Sequence, residues 1–285
     1  MFDHLGGVEI YKAAGHLVAI TGDRNTTPTY GTSTQMTSHV LATLASLLVA
    51  MAATNTASGT PGGQRFDQAV GLNYAKQVLS DASTFIWARL NQADPAERKP
   101  VDAGPIIRIY IPWSGAPQIW RPWAAAPLAL PHDRPCVDAV TLIVEDIGGV
   151  AFTRDDVVHV SAQRVGVYSG DVRTEVTGVL YHETTHVWQW DGQGQANRGL
   201  IEGIADFVRL KAGYASWRWV QPGQGDRWDH GYDVTARFLE YCDYLMPGFV
   251  SLLNAKMTDG YSDDFFAQIL GKDVEQLWRD YKAKY

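Results

Sequence analysis

The chain contains at residues 181–187 the sequence Tyr181-His182-Glu183-Thr184-Thr185-His186-Val187. This HExxH pattern is filled and flanked by uncharged residues and is typical of a helix. On a helix, His182 and His186 lie one turn apart on the same face, so both imidazoles can bind one metal ion. Glu183 lies beside the first histidine, where it can take a proton from a water molecule that the metal activates. The segment therefore predicts a helix with two metal ligands and a general base.

A third ligand is expected further along the chain, because a catalytic zinc site usually has three protein ligands and keeps one position for water. The extension H-x-x-G-x-x-H, which supplies a third histidine, is absent. After a Gly-, Gln- and Asn-rich loop at 191–199, Glu202 and Asp206 lie one helical turn apart in an apolar stretch. Two carboxylates in such a setting are unfavourable unless they are paired or bind a metal. We predict that Glu202 is the third ligand and that Asp206 accepts the outer N–H of His182. The reverse assignment, with Asp206 as the ligand, stays open.

Around these residues the sequence resembles the plant basic secretory protein family, also called peptidases of plants and bacteria. The resemblance covers residues 54 to about 98 and 137 to 285. It is carried by blocks at 55–66, 144–152, 178–190, 199–206, 225–229 and 231–239. The resemblance implies a zinc metallopeptidase of the glutamate-liganded class that is secreted and associated with plant defence.

The charge balance departs from the name of that family. The chain has 24 Lys and Arg residues against 31 Asp and Glu residues, a formal net charge of -7. An acidic balance argues against binding to nucleic acids or to anionic membranes. We therefore expect no nucleic-acid partner and no stable membrane anchor, while the resemblance implies a peptide or protein substrate.

The N-terminal 53 residues are predicted to be absent from the mature protein. Residues 40–50 form an apolar run that ends in the cleavage pattern Ala50-Met51-Ala52, and the run has the length of a signal-peptide core. Because Met36 lies just before this run, we predict that residues 1–35 are a non-native upstream extension. Residues 36–53 are then a signal peptide, and the mature protein is secreted to the extracellular space (the apoplast). A buried Ala- and Leu-rich helix is the alternative.

A second unusual segment lies at residues 104–136. The sequence Val101-Asp102-Ala103 recurs as Val137-Asp138-Ala139, and the stretch between is rich in Pro and Trp. Compact domains rarely carry so long an irregular loop. We predict an insertion, such as a translated intron, within a metallopeptidase-like domain of residues 54–285; a lid or binding loop is the alternative. If the insertion is spurious, Cys136 is too, and Cys242 is left unpaired.

The periodicity of the remaining sequence predicts an α+β fold, and the resemblance implies a zincin-like one. A small N-terminal sheet with helices is followed by a mainly helical C-terminal part that carries the active-site helix. The first helix is predicted at 64–91, and strands at 140–144 and 157–161. Further helices are predicted at about 175–190, 199–213, 229–245, 247–258 and 273–284.

Hydrolysis of a peptide bond is the most economical chemistry for these residues. Zn²⁺ held by His182, His186 and Glu202 would polarise the scissile carbonyl and lower the pKa of a water molecule. Glu183 would take the proton from that water and pass it to the leaving amine. The predicted function is that of a secreted zinc-dependent endopeptidase in plant defence.

Other residues are predicted to complete the cleft. The oxyanion of the tetrahedral intermediate needs a donor beyond the metal. Tyr232 and His230 are candidates, and Tyr232 is favoured because it belongs to a block that resembles the family; a packing role is equally open. Trp188 and Trp190 either line the cleft or, by preference, pack the active-site helix. Residues 158–162 are the predicted sheet edge on which the substrate would bind as an added strand.

Two other functions stay open. One is a non-proteolytic secreted defence or binding protein with a structural metal site, and the other is hydrolysis of a non-peptide amide. A structural zinc site needs no general base and is usually closed by four ligands. The presence of Glu183, with no fourth ligand evident, therefore favours catalysis.

Overall fold

The computed structural model of the protein describes residues 8–13, 16–21, 50–101 and 139–285. Much of the predicted extension at 1–35, most of the predicted signal peptide at 36–53 and all of the predicted insertion at 104–136 lie outside the described residues. Cys136 lies outside them as well. Cys242 is buried and has no disulfide partner in the part of the chain that is described.

The chain forms two compact units, Met1–Ala42 and Thr43–Tyr285. The first unit contains an antiparallel hairpin of β1 (Val8–Ala13) and β2 (His16–Thr21). All predicted site residues belong to the second unit.

The second unit contains a four-stranded sheet. Its strands are β3 (Ala50–Asn55), β4 (Ala139–Glu145), β5 (Ala151–Arg154) and β6 (Val157–Ser161). Their spatial order is β3-β4-β6-β5, with β3 and β6 parallel to β4 and with β5 antiparallel to β6. Both predicted strands are present. Strand β3 is additional, and it includes residues 50–53, which the sequence assigns to the signal peptide.

Helices make up most of the rest of this unit in the ranges that the structure describes. They are α1 (Pro61–Ala69), α2 (Leu72–Arg89), α3 (Ala162–Val167), α4 (Val172–Trp188), α5 (Arg198–Lys211), α6 (Tyr232–Leu245), α7 (Phe249–Lys256), α8 (Asp264–Leu270) and α9 (Val274–Lys284). The predicted helix at 64–91 is wrong as a single element. It is divided between α1 and α2 at Gly71, whose φ of 74° lies in the left-handed region that favours glycine. The small sheet with mostly helices confirms the predicted α+β class.

The sheet and the helices enclose one apolar core. In β4, Val140, Leu142 and Val144 are buried while the residues between them are only half-buried, as expected for a strand with one face on the core. Helix α4 is buried on nearly all sides, which is typical of a helix in the middle of a domain. It packs against α2, α5 and β5, so its side chains lie between the sheet and the C-terminal helices.

The predicted edge strand at 158–162 is wrong. Strand β6, which includes most of that segment, lies between β4 and β5 in the sheet. The cause is a two-residue turn at Asp155 and Asp156, whose φ values of 49° and 59° fold β5 back onto β6. Turns with two positive φ values match the twist of paired strands. Among the described strands, β5 therefore forms this edge of the sheet.

Candidate active site

Two packed helices bring the predicted metal ligands together. Helix α4 carries His182 and His186, and α5 carries Glu202. The Nε2 atoms of the two histidines are 3.1 Å apart. Oε2 of Glu202 lies 3.2 Å from Nε2 of His182 and 3.5 Å from Nε2 of His186. Three atoms that can bind a metal therefore form a compact triangle.

The triangle fits a zinc ion. Ligand atoms placed tetrahedrally at roughly 2.0–2.1 Å from zinc lie about 3.3–3.4 Å from one another. The observed separations of 3.1, 3.2 and 3.5 Å are close to this requirement. Two imidazole nitrogens and one carboxylate oxygen are also a donor set that catalytic zinc uses. These three residues could therefore hold a metal ion.

Asp206 lies on the other side of the His182 ring. Its Oδ1 is 2.6 Å from Nδ1 of His182, and its side chain is buried. When Nδ1–H donates to this carboxylate, Nε2 keeps its lone pair for a metal. Asp206 thus occupies the place predicted for the partner of His182. It is not one of the three residues whose ligand atoms face one another.

The electrostatics of the cluster favour a cation at its centre. Burial alone would lower the pKa of His182, but the hydrogen bonds to Asp206 and Glu202 outweigh it and raise this pKa to about 10. Burial alone would raise the pKa of Glu202, but the hydrogen bonds and charges of the two histidines hold it well below its usual range. The carboxylates therefore stabilise positive charge at the imidazoles, whether a proton or a metal ion supplies it.

Glu183 is held by the sheet edge. Its side chain is buried, and the hydroxyl of Thr153 in β5 lies 2.8 Å from its Oε2 and 3.0 Å from its backbone oxygen. The same hydroxyl can donate to either oxygen. Thr153 thereby ties strand β5 to the predicted general base.

A cleft of about 700 Å³ opens over these residues. The two histidines, Glu183 and Glu202 line it together with residues 150–153 and Tyr232. A cleft of this size can accept several residues of an extended peptide. It also places β5 beside the predicted general base and ligands.

The loop before α6 brings Tyr232 to the cleft. The Tyr232 ring is stacked on His182 with centroids 6.1 Å apart, and half of the side chain is exposed. Its φ of 49° is unusual for a tyrosine, and such strain is often found at functional sites. The loop also approaches the start of α5 closely: a Cβ at Gly199 would overlap the carbonyl oxygen of Asp229. Glycine at 199 thus allows Tyr232 to lie near the ligand helix.

The other residues predicted around the cleft take different places. His230 is exposed and is not among the residues that line the cleft. Trp188 is fully buried, with its Nε1 donating to Ser83 and its ring packed edge-on against Trp87. Trp190 packs against the core. The packing role is therefore the one that the structure gives to both tryptophans.

Two residues at this site were missed by the sequence analysis. Thr153 contacts Glu183, and Gln189 contacts His186 through an Nε2–Nδ1 distance of 2.8 Å. Gln189 lies three residues after His186, and the helix predicted at about 175–190 would bring these side chains together. In the structure Gln189 follows the end of α4 with an extended backbone, so helical spacing alone does not explain the contact. Thr153 lies 30 residues before Glu183 in the sequence, and no sequence pattern indicates that the two residues are in contact.

The fold and the site together define an α+β protein with a cleft that contains a His–His–Glu cluster able to bind a metal. The chain belongs to the family described as peptidase of plants and bacteria, which it matches over residues 47–107 and 121–281. The family name indicates a peptidase-like protein.

Part of the chain is similar to a protein whose name also describes a protease. A basic secretory protease from Boswellia serrata is 47% identical over 58 residues, which cover 20% of this chain and 66% of that protein. No solved structure matches the chain, so the zincin-like fold stays a prediction. In the part of the chain that is described, no helix has both the length and the apolar character to span a membrane.

Proposed function

We propose that the protein is a secreted, zinc-dependent endopeptidase. The observation that carries this proposal is the triangle of His182, His186 and Glu202 beside Glu183 in an open cleft. Membership of a peptidase family supports the choice of a peptide as substrate. The zincin-like fold belongs to the same proposal.

Zinc bound by these residues would supply the Lewis acidity that polarises the scissile carbonyl and lowers the pKa of water. Glu183 accepts a proton from the attacking water and later delivers it to the leaving amine. Thr153 fixes Oε2 of Glu183 at 2.8 Å and leaves Oε1 for this transfer. Asp206 keeps the His182 ring in the tautomer and orientation that metal binding requires.

Strand β5 is the proposed binding edge for the substrate. The backbone oxygen of Val150 accepts a hydrogen bond from the N–H of Ser161 in β6. Because hydrogen-bonded pairs alternate in an antiparallel ladder, the N–H and C=O groups of Ala151 and Thr153 point away from β6. Both residues line the cleft. An extended peptide could therefore add to the sheet here and pass beside Glu183.

Tyr232 is the proposed donor to the oxyanion. Burial and the nearby Glu202 carboxylate raise the pKa of Tyr232, while Arg198 opposes this shift. The phenol therefore stays protonated at neutral pH and can donate. A preorganised donor of this kind stabilises the charge that develops in the transition state.

Replacing Tyr232 with Phe should lower kcat by about 100-fold with little change in KM, the smaller end of what loss of an oxyanion donor costs. The smaller value is expected because the side chain is half exposed. Steady-state kinetics checks this, with Tyr244→Phe as a matched control on the exposed side of α6. An unchanged kcat together with a lower unfolding temperature would assign Tyr232 to packing instead.

The name of the Boswellia serrata relative supports secretion, and a role in plant defence in the apoplast follows from the family resemblance. Residues 1–35 are proposed to be an upstream extension and residues 36–53 a signal peptide. Residues 104–136 are proposed to be an insertion in a domain of residues 54–285. Removal of residues up to 53 would leave two residues of β3 paired with β4. N-terminal sequencing of the secreted protein tests this; residues before Met36 would contradict it.

The proposed activity can be tested by incubating the full-length protein with an unfolded protein substrate and identifying the new chain ends by mass spectrometry. We expect internal cleavage that disappears after chelation and returns with added zinc. A protein that retains one zinc per chain and cleaves nothing would instead be a binding protein with a structural metal site.

A further inference from the structure

A buried amide joins the two helices that carry the metal ligands. Gln189 directly follows the last residue of helix α4; its backbone is extended and its side chain is only 2% exposed. Its Nε2 lies 2.8 Å from Nδ1 of His186 and donates at 3.2 Å to the backbone oxygen of Ile201, the residue before Glu202. Gln189 therefore contacts one ligand directly and the neighbour of another.

One of the two polar atoms of this amide has no hydrogen-bond partner among the described residues. That atom is Oε1 of Gln189, which is buried. A buried acceptor without a partner is unfavourable and calls for an explanation. At the same time the amide NH₂ group faces Nδ1 of His186, an arrangement in which Nδ1 must be the acceptor and Nε2 must carry the proton.

Metal binding requires the opposite tautomer of His186. Nε2 belongs to the ligand triangle, so it must lose its proton to bind a metal, and the neutral ring then carries its proton on Nδ1. A donor at Nδ1 cannot pair with the NH₂ group of Gln189. Rotation of the amide by about half a turn would bring Oε1, the atom without a partner, to Nδ1.

We propose that Gln189 is a positioning residue for the metal site, whose side-chain oxygen accepts the Nδ1–H of His186 when the metal is bound. The inference rests on the proposed zinc site and extends it to the second histidine. Each histidine then has its own outer partner: Asp206 for His182 and Gln189 for His186. The rotation gives up the bond to the oxygen of Ile201 and leaves Oε1 facing that oxygen, an unfavourable contact that the new bond from Nδ1–H must offset. The oxygen of Ile201 lies within α5 and can still accept a helical hydrogen bond.

Two substitutions separate this role from a structural link between helices. Gln189→Met keeps the length of the side chain but can neither accept nor donate a strong hydrogen bond. Gln189→Glu keeps an acceptor for Nδ1–H and loses the donor to the oxygen of Ile201. If Gln189 acts as an acceptor, the Glu variant retains the zinc affinity of the wild type. If Gln189 acts only as a donor that links α4 to α5, both variants lose zinc affinity equally.

The test is the zinc affinity of the full-length protein, measured by competition with a chromophoric chelator, with the unfolding temperature of the chelated protein recorded in parallel. We expect Gln189→Met to bind zinc about 10- to 100-fold more weakly than wild type, the usual effect of losing an outer partner of a ligand. Gln189→Glu should bind at least as tightly as wild type. Both variants should unfold at similar temperatures after chelation, because both lose the bond to Ile201.

The outcomes also distinguish this inference from the proposed function. Wild-type affinity in Gln189→Met, or a 10-fold or greater loss in Gln189→Glu, overturns the role of Gln189 while the zinc site stands. If Gln189→Met does not fold, the zinc affinity of Gln189→Glu alone decides whether Gln189 has this role. A wild-type protein that binds no zinc would overturn the proposed site itself and this role with it.

Discussion

Replacing Glu183 with Gln should reduce peptide hydrolysis by about 10²- to 10⁴-fold while the protein still binds one zinc ion per chain. Glutamine has nearly the same shape and can still accept the hydrogen bond from the Thr153 hydroxyl, which lies 2.8 Å from Oε2. It cannot take a proton from water, and the contribution of a positioned general base is of this order. The ligand triangle does not include Glu183, so zinc binding should be retained.

The measurement is kcat/KM on a peptide substrate together with the zinc content of the same preparation. Glu240→Gln is a matched control, because it removes the same charge at a residue that pairs with Lys211 and Arg237 away from the cleft. It should keep wild-type activity. Equal activity of wild type and Glu183→Gln would remove Glu183 from the role of base.

Replacing Glu202 with Gln should abolish stable zinc binding and with it the activity. The carboxylate supplies one corner of the ligand triangle, and two histidines alone form an incomplete site. The negative charge that holds positive charge at the imidazoles is lost as well. The loss of affinity should exceed the roughly 10- to 100-fold that removal of an outer hydrogen-bond partner costs.

Replacing Asp206 with Asn should weaken zinc binding less than Glu202→Gln does. Asp206 contacts Nδ1 of His182, on the outer side of the ring, so its replacement should fall within that 10- to 100-fold range. Zinc affinities of both variants are measured beside Glu240→Gln. The reverse order, with Asp206→Asn losing zinc and Glu202→Gln keeping it, would exchange the assigned roles of the two carboxylates.

The parts of the site that follow helical spacing could be predicted from the sequence. His182 and His186 are four residues apart, as are Glu202 and Asp206, and on a helix this spacing alone brings two side chains onto one face. What the sequence could not supply is the distance between the two helices. That distance depends on the packing of α4 against α5 and on the close approach at Gly199, which only the folded chain determines.

The sheet was harder to predict than the helices. Strand β5 has only four residues, Ala151–Arg154, and the turn after it consists of two aspartates rather than the Asn-Gly or Asp-Gly pairs that mark such hairpins. Without β5, β6 was mistaken for an edge. The break at Gly71 was missed for a different reason: apolar residues recur with helical spacing on both sides of it, so the periodicity of the sequence continues through the break.

In the proposed function a single zinc ion, held by His182, His186 and Glu202, enables peptide hydrolysis. The most direct measurement adds zinc back to the chelated full-length protein and records peptide cleavage after each addition. We predict that cleavage rises in proportion to zinc and stops rising at one equivalent per chain. Cleavage at the full rate by the chelated protein, or no cleavage at one bound equivalent of zinc, would contradict this role of the metal.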